Sequence, residues 1–172
     1  AAIDSGLAGG SIEDSNSQSK SPIYDIEHAA DRIRAAAEFI QSKGARFVLT
    51  GRAENYLMGK PDISDTIRRL QAYQEAGADV LYAPGITRRE DISAIVSSID
   101  RPLNVVMGLA GANFTVKELA ELGVKRISIG SALARAALGA VFRAIDEMQG
   151  EGSFKFAEQA VNYGEISRML TD

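Results

Sequence analysis

The 172-residue chain contains no cysteine and a single histidine, His28. Without cysteine there is no disulfide, no thiolate metal site and no cysteine nucleophile. One histidine excludes a multi-histidine zinc site as well. There is no long apolar run, so no membrane partner is expected. There is no basic cluster either, and 19 basic against 23 acidic residues leave a net charge of −4, which makes nucleic acid an unexpected partner. No basic segment followed by an apolar stretch opens the chain, which points to a cytoplasmic location. No GxGxxG or Walker pattern follows any strand-like run, so nothing marks a glycine-rich phosphate loop.

What is present is alternation. Short apolar runs, mostly rich in β-branched residues and flanked by glycine or proline, read as buried strands at Gly9–Glu13, Arg46–Thr50, Asp79–Ala83, Leu103–Met107 and Arg126–Gly130. Amphipathic segments between and after them predict helices over about 26–42, 64–75, 89–98, 115–122 and 132–149. Asp25, Ser64 and Thr115 are the expected N-caps, and Glu118 three residues after Thr115 makes a capping box. Gly6, Gly44, Gly77 and Gly123 each follow a helical pattern, at intervals close to one α/β unit of roughly 35 residues. Strand and helix in alternation mean a parallel sheet. Of its two closures, a doubly wound sheet would advertise a phosphate loop after its first strand, where this chain has Asp14-Ser15-Asn16-Ser17. A (β/α)8 TIM-type barrel instead collects polar residues at the C-terminal ends of its strands.

Those ends read Glu13-Asp14-Ser15, then Gly51-Arg52-Ala53-Glu54-Asn55, then Tyr82-Ala83-Pro84-Gly85, then Asn104, then Ser128 and Ser131. Two adjacent carboxylates at a strand end cannot both enter one core, so at least one faces the mouth. Mg²⁺ is the expected reason to gather them, because it takes oxygen ligands and needs only one or two carboxylates. Alternatively Glu13 or Asp14 caps the next segment or pairs with Arg52. The Arg52 guanidinium suits a substrate carboxylate or phosphonate, with Glu54 holding it in place. Asn104, an amide inside an apolar strand, makes either a structural hydrogen bond or a substrate contact. His28 reads as a surface histidine beside Glu27 and Asp31, and Tyr24 and Tyr56 as packing residues in loops after strands.

The runs Gly9-Gly10-Ser11-Ile12-Glu13-Asp14-Ser15, Leu49-Thr50-Gly51-Arg52-Ala53-Glu54-Asn55 and Arg69 to Asp79, together with Arg126 to Ala137, resemble the isocitrate lyase/phosphoenolpyruvate mutase superfamily. The likeness is strongest to its phosphoenolpyruvate phosphonomutase-like branch, and it runs from about Ser5 to Leu138. It implies a Mg²⁺-dependent barrel that makes or breaks a C–C or P–C bond beside an α-oxo carboxylate through a pyruvate enolate. By that resemblance Glu13 matches a glutamate contacting metal-bound water, with Asp14 beside it as a metal candidate. Arg52 matches the arginine that grips the substrate, and Asn104 falls near an asparagine that contacts substrate; Glu54, placed at the catalytic centre by its position beside Arg52, is read as a positioning residue rather than an acid.

Two departures qualify the resemblance. The segment Asn16 to Pro22 has neither the cysteine nor the histidine of the classical lyases' mobile loop, which argues against isocitrate lyase activity and leaves Lys20 as its only charge. The five strands correspond to the fourth to eighth of the family, so the chain reads as the C-terminal two-thirds of a barrel, lacking the strands that carry the aspartate ligands of Mg²⁺. On this reading residues 1–150 are a partial barrel and 151–172 a helical tail at a subunit interface. The expected function is lyase or decarboxylase chemistry on a small oxo or hydroxy carboxylate. Phosphonopyruvate mutase or hydrolase chemistry is the alternative, and a catalytically inactive structural half is a third reading. The resemblance also implies a homodimer or homotetramer that exchanges the last barrel helix.

Overall fold

The computed structural model describes residues 2–16 and 22–171. The expected role of Lys20, and of most of the segment around it, therefore lies outside the described residues. The chain divides into two compact units, Ala1–Gly130 and Ser131–Asp172.

The first unit is a parallel sheet whose strands lie side by side in chain order: β1 (Gly9–Glu13), β2 (Val48–Arg52), β3 (Val80–Tyr82), β4 (Leu103–Val106) and β5 (Arg126–Ser128). Helices α1 (Ile26–Ser42), α2 (Ile63–Glu75), α3 (Arg89–Ser98) and α4 (Val116–Glu121) return the chain to the same end each time, as parallel pairing requires. β2 starts two residues later than expected, where the Val48 N–H donates to the Ala8 carbonyl at 2.9 Å. A shift of two leaves every side chain on its expected face.

Local chemistry sets the helix ends. Asp25 accepts from the His28 N–H at 2.9 Å, and Thr115 and Glu118 form the full capping box. The expected cap at Ser64 is incorrect: Asp62, extended at φ −133°, accepts from the Asp65 N–H at 3.0 Å and starts α2 at Ile63. Asp62 reaches the unpaired N–H groups first, and Ser64 falls inside the first turn. At the other ends Gly44, Gly77 and Gly123 follow α1, α2 and α4 with φ between +58° and +101°, while Gly6, at φ +80°, closes a turn before β1 rather than a helix. Gly77 is the most constrained, because a Cβ there would also lie 2.8 Å from Ala37 Cβ.

Period-two alternation sends Leu49, Leu81, Leu103 and Val105 to one face of the sheet. There they are buried with Ile33 of α1, Leu70 and Tyr73 of α2, Ile92 and Ile95 of α3, and Leu119 of α4. Burial of each large apolar side chain contributes roughly 1.5–3 kcal/mol. Gly51 sets how closely the helices approach: a Cβ would lie 2.9 Å from Tyr73 Cβ and 3.1 Å from Ile33 Cδ1.

The second unit holds α5 (Ala132–Gly150), a 3₁₀ turn at Lys155–Gln159 and α6 (Tyr163–Met169). The Glu147 carboxylate organises it, accepting from the Ser153 hydroxyl and from the N–H groups of Lys155 at 2.6 Å and Phe156 at 3.1 Å. Those bonds, the Ser153 one foremost, hold Glu147 below the usual carboxylate range. Among the described residues no helix is long and apolar enough to cross a membrane.

The close packing at Gly51 yields a test. Gly51→Ala must displace α2 or Ile33, and is expected to lower unfolding stability by about 1–3 kcal/mol in urea titration monitored by circular dichroism.

Candidate active site

Parallel register lines up one residue from each strand on the face away from the helices. Glu13 pairs with Arg52, Arg52 with Tyr82, Tyr82 with Asn104, and Asn104 with Arg126. Arg126 Nη1 on β5 donates to Thr50 Oγ1 on β2 at 3.2 Å. With strands about 4.8 Å apart, three intervals of flat sheet would hold those groups out of reach. The sheet therefore curls around this face like a barrel wall. The concavity is a cleft of about 540 Å³ whose lining includes Ser11, Thr50, Tyr82, Asn104, Arg126 and Ser128.

At the strands' C-terminal ends Arg52 is the hub. Its Nε pairs with Glu54, which is 3% exposed, and lies 3.6 Å from Glu13 Oε2. Its guanidinium carbon stands 5.1 Å from the centre of the Tyr82 ring. Burial alone would lower the Arg52 pKa, but Glu54, then Tyr82 and Glu13, outweigh it and the value rises. Burial raises the pKa of Glu54, against the opposing pull of Arg52. The hydrogen bond that holds Arg52 is made through Nε, to Glu54, and no hydrogen bond within the described residues takes its Nη nitrogens.

The adjacent carboxylates of β1 separate as the strand alternation requires. The Glu13 side chain is 49% exposed at the mouth. Asp14 is 2% exposed on the opposite side. Its Oδ1 accepts from the Glu54 N–H at 2.8 Å, and its Oδ2 from Arg69 Nη1 at 2.9 Å and the Tyr73 hydroxyl at 2.5 Å. Asp14, expected as a metal candidate, thus has both oxygens engaged by protein donors and none turned to the mouth. Burial, then the Asp14 charge, pushes the Tyr73 phenol well up, which keeps it a donor.

Sequence reasoning alone misses Arg69 and Tyr73. One signal could have found them: a buried carboxylate needs a cation, and residues four apart share a helix face. Asn55 is a third missed residue. It is buried, and its amide bonds Thr66 and the carbonyls of Lys60 and Asp62, folding the loop after Glu54 onto α2. Asn104 Nδ2 donates to Ser128 Oγ at 3.0 Å, while Oδ1 is buried without a partner. His28 is exposed, its ring edge-on to Tyr24 at 4.8 Å. Tyr24 and Tyr56 are partly buried against the core.

Among the described residues no group of three or more Asp, Glu or His side chains could hold a metal. Glu13 is the only one of the three acidic residues here with an accessible oxygen, and an arginine stands beside it. These residues therefore do not fit a Mg²⁺ site by themselves.

A curled parallel α/β sheet with an arginine and carboxylates at its strands' C-terminal ends defines part of a (β/α)8-type barrel of the phosphoenolpyruvate mutase/isocitrate lyase superfamily. The chain belongs to the phosphoenolpyruvate phosphomutase family, whose model matches residues 1–149. It is 49% identical to a candidate lyase/mutase from Burkholderia cenocepacia J2315, with a TM-score of 0.96 over 99% of this chain and 62% of that one. It is 28% identical to an oxaloacetate decarboxylase of Bradyrhizobium, over 96% of this chain and 60% of that protein. A phosphonopyruvate hydrolase solved with oxalate and Mg²⁺ is 27% identical, with a TM-score of 0.76 over 97% of this chain and 60% of that one. The chain spans about 60% of the length of the curated relatives it matches along its whole extent.

Two measurements test these assignments. Asp14→Asn removes the buried charge that Arg69 Nη1 and the Tyr73 hydroxyl donate to, leaving Asp65 as the one carboxylate on Arg69, and is expected to cost about 2–4 kcal/mol of stability in urea, whereas Glu13→Gln at the exposed mouth costs under about 1 kcal/mol. The raised pKa of Glu54 means that the folded chain holds its proton more tightly than the unfolded one. That contribution is full below the ordinary carboxylate value and fades as pH climbs through the raised folded value. Stability of the wild type relative to Glu54→Gln should therefore fall as pH rises from about 4 toward neutrality, read as the difference in urea midpoints. A rising difference would refute the assignment.

Proposed function

We propose that these residues serve a lyase or decarboxylase that cleaves a C–C bond beside the oxo or hydroxy carbon of a small carboxylate. The observation that carries this reading is the Arg52 fork, fixed on Nε by a buried carboxylate and open on its Nη side beside the cleft. Arg52 binds the carboxylate of the substrate and the enolate charge that grows next to it. With oxaloacetate, the C3–C4 bond breaks, CO₂ leaves, and the electron pair remains on C3 as the enolate of pyruvate, which then takes a proton at C3. Glu54 acts through Arg52 as a positioning residue, since its carboxylate is buried against the guanidinium. Asn104 reaches the substrate from the next strand but one.

Mg²⁺, present in the phosphonopyruvate hydrolase complex, would supply Lewis-acid stabilisation of such an enolate. Glu13 has an oxygen to offer a metal-bound water, and direct ligands would come from outside the described residues.

The likeness to phosphonopyruvate hydrolase supports a second reading, in which water attacks phosphorus and the P–C bond breaks to give phosphate and pyruvate. Both are tested by giving the chain each substrate with Mg²⁺ and following pyruvate and phosphate against a protein-free blank, because oxaloacetate also decarboxylates unaided. Pyruvate from oxaloacetate above the blank supports the first reading, and phosphate from phosphonopyruvate the second. Neither product rejects both and leaves a non-catalytic half. Arg52→Lys is expected to reduce kcat/KM by roughly 10²–10³-fold on the accepted substrate.

A further inference from the structure

Arg52 Nε has one proton to give and two carboxylates near it. Glu54 takes the proton, while Glu13 Oε2 stands 3.6 Å away on a side chain that is half exposed. Left to itself the arginine would favour Glu13, because a carboxylate loses its hydration on burial and an exposed one does not. The backbone around Glu54 decides otherwise, for three successive residues are fastened to three different elements. The Ala53 N–H donates to the Tyr82 carbonyl of β3 at 2.9 Å, the Glu54 N–H donates to Asp14 after β1 at 2.8 Å, and the Asn55 side chain is bonded to α2 and its cap. Asn55 Nδ2 donates to the carbonyls of Lys60 and Asp62, both at 3.2 Å, which uses its two protons. Its Oδ1 accepts from the Thr66 hydroxyl at 3.0 Å, so every polar atom of the amide is matched. The Lys60 N–H closes the same loop on the Asn55 carbonyl at 2.8 Å. Asn55 and Thr66 are both fully buried.

We propose that Asn55 and Thr66 are positioning residues for Arg52: their bond fixes the loop after β2 on α2, and thereby decides that Glu54 rather than Glu13 holds Nε. The proposal rests on the reading of Arg52 as the carboxylate grip and adds what sets its direction. Thr66, Arg69 and Tyr73 recur at steps of three and four, so they share one face of α2. Arg69 and Tyr73 hold Asp14, Asp14 holds the Glu54 N–H, and Thr66 holds the residue that follows. One helix face therefore grips Glu54 from both sides along the chain. The Asp14 contacts also fasten β1 and the entry of α1, whereas the bond of Thr66 to Asn55 acts on the loop alone. A guanidinium is planar, so the carboxylate on Nε sets the plane in which both Nη groups point. Glu13 faces Arg52 from the neighbouring strand, and transfer of Nε to it would turn that plane. A misplacement of about 1 Å is enough to slow a reaction roughly 100-fold.

The test is a pair of double-mutant cycles read by urea titration, in which Arg52→Gln is combined with Glu54→Gln and with Glu13→Gln to give the coupling of Arg52 to each carboxylate. Both cycles are run in the wild type, in Thr66→Val, which keeps the bulk and loses the hydroxyl, and in Thr66→Ser, which keeps the hydroxyl. In Thr66→Val the coupling to Glu54 is expected to fall to about half or less and the coupling to Glu13 to grow, while Thr66→Ser keeps the wild-type order. A threonine that only stabilises the fold would lower every midpoint and leave both couplings as they were, and that result overturns the proposal. Asn55→Asp keeps the shape but cannot donate to the Lys60 and Asp62 carbonyls; it is read in the same way should Thr66→Val not fold. A Thr66→Ser that behaves like Thr66→Val also overturns the proposal, because the hydroxyl would then not be what counts. On the accepted substrate, Thr66→Val should lower kcat/KM about tenfold and Thr66→Ser restore it to within about threefold. Unchanged turnover beside shifted couplings overturns the proposal as well. Shifted couplings in a chain that turns over neither substrate reject the carboxylate grip and leave the positioning of Arg52 standing.

Discussion

The buried carboxylate of Asp14 is the constraint on which the rest of the first unit depends. Taking one carboxylate out of water costs several kcal/mol unless partners replace the lost hydration. Here Arg69, Tyr73 and the Glu54 N–H replace it, from three points of the chain. Arg69 is itself committed, donating to Asp65 at 2.6 Å and to the Tyr24 carbonyl at 2.8 Å. Burial lowers its pKa, but Asp65, then Tyr73 and Asp14, raise it, with a net rise, so the cation stays charged under the carboxylate. One anion thus fastens the end of β1 to the loop after β2, to the entry of α1 and to one face of α2. An apolar residue at position 14 would pack, but it would not tell the Glu54 backbone where to sit.

That last bond links stability to chemistry. Because Asp14 holds the Glu54 N–H, the Glu54 side chain is delivered beside Arg52, and Arg52 is held by its Nε with its fork outward. Arg32 adds a second fastening by donating to the Glu13 carbonyl at 2.6 Å while stacking on Tyr24 at 5.0 Å. The end of β1 is therefore gripped from both sides of its backbone. Only the Glu13 side chain is left to face the mouth, and an exposed carboxylate at a rigid backbone position costs little to hold ready.

Much of this was legible in the sequence for a physical reason: strand periodicity, caps and stop glycines are local signals, readable from neighbours a few residues apart. Asp25, Thr115 with Glu118, and Gly44, Gly77 and Gly123 behave as local rules demand, and the α/β class follows from them. Ser64 misled because two oxygen-bearing residues two apart compete for one cap, and backbone geometry decides between them. Asp14 was ambiguous for a different reason. Two adjacent carboxylates must separate, but which enters the core depends on a cation 55 residues later in the chain. No local pattern encodes that pairing. Asn104 was left between a structural and a ligand role, and its amide is in fact divided, Nδ2 bonded and Oδ1 bare.

The division of labour between the two faces of the sheet follows from the same period of two. Parallel sheets usually bury both faces, and barrel interiors are mostly filled by branched apolar side chains. Here the helix-covered face obeys that rule with Leu49, Leu81, Leu103 and Val105. The other presents a mixed surface to a cleft, with Val48 and Val80 beside Ser11, Thr50, Tyr82, Asn104, Arg126 and Ser128. A packed interior would not tolerate so many hydrogen-bonding groups unless each were matched, and Asn104 Oδ1 is not. Neighbouring positions along one strand therefore answer to different demands: Gly51 and Leu81 to the packing of helices, Arg52 and Tyr82 to each other across the opposite face.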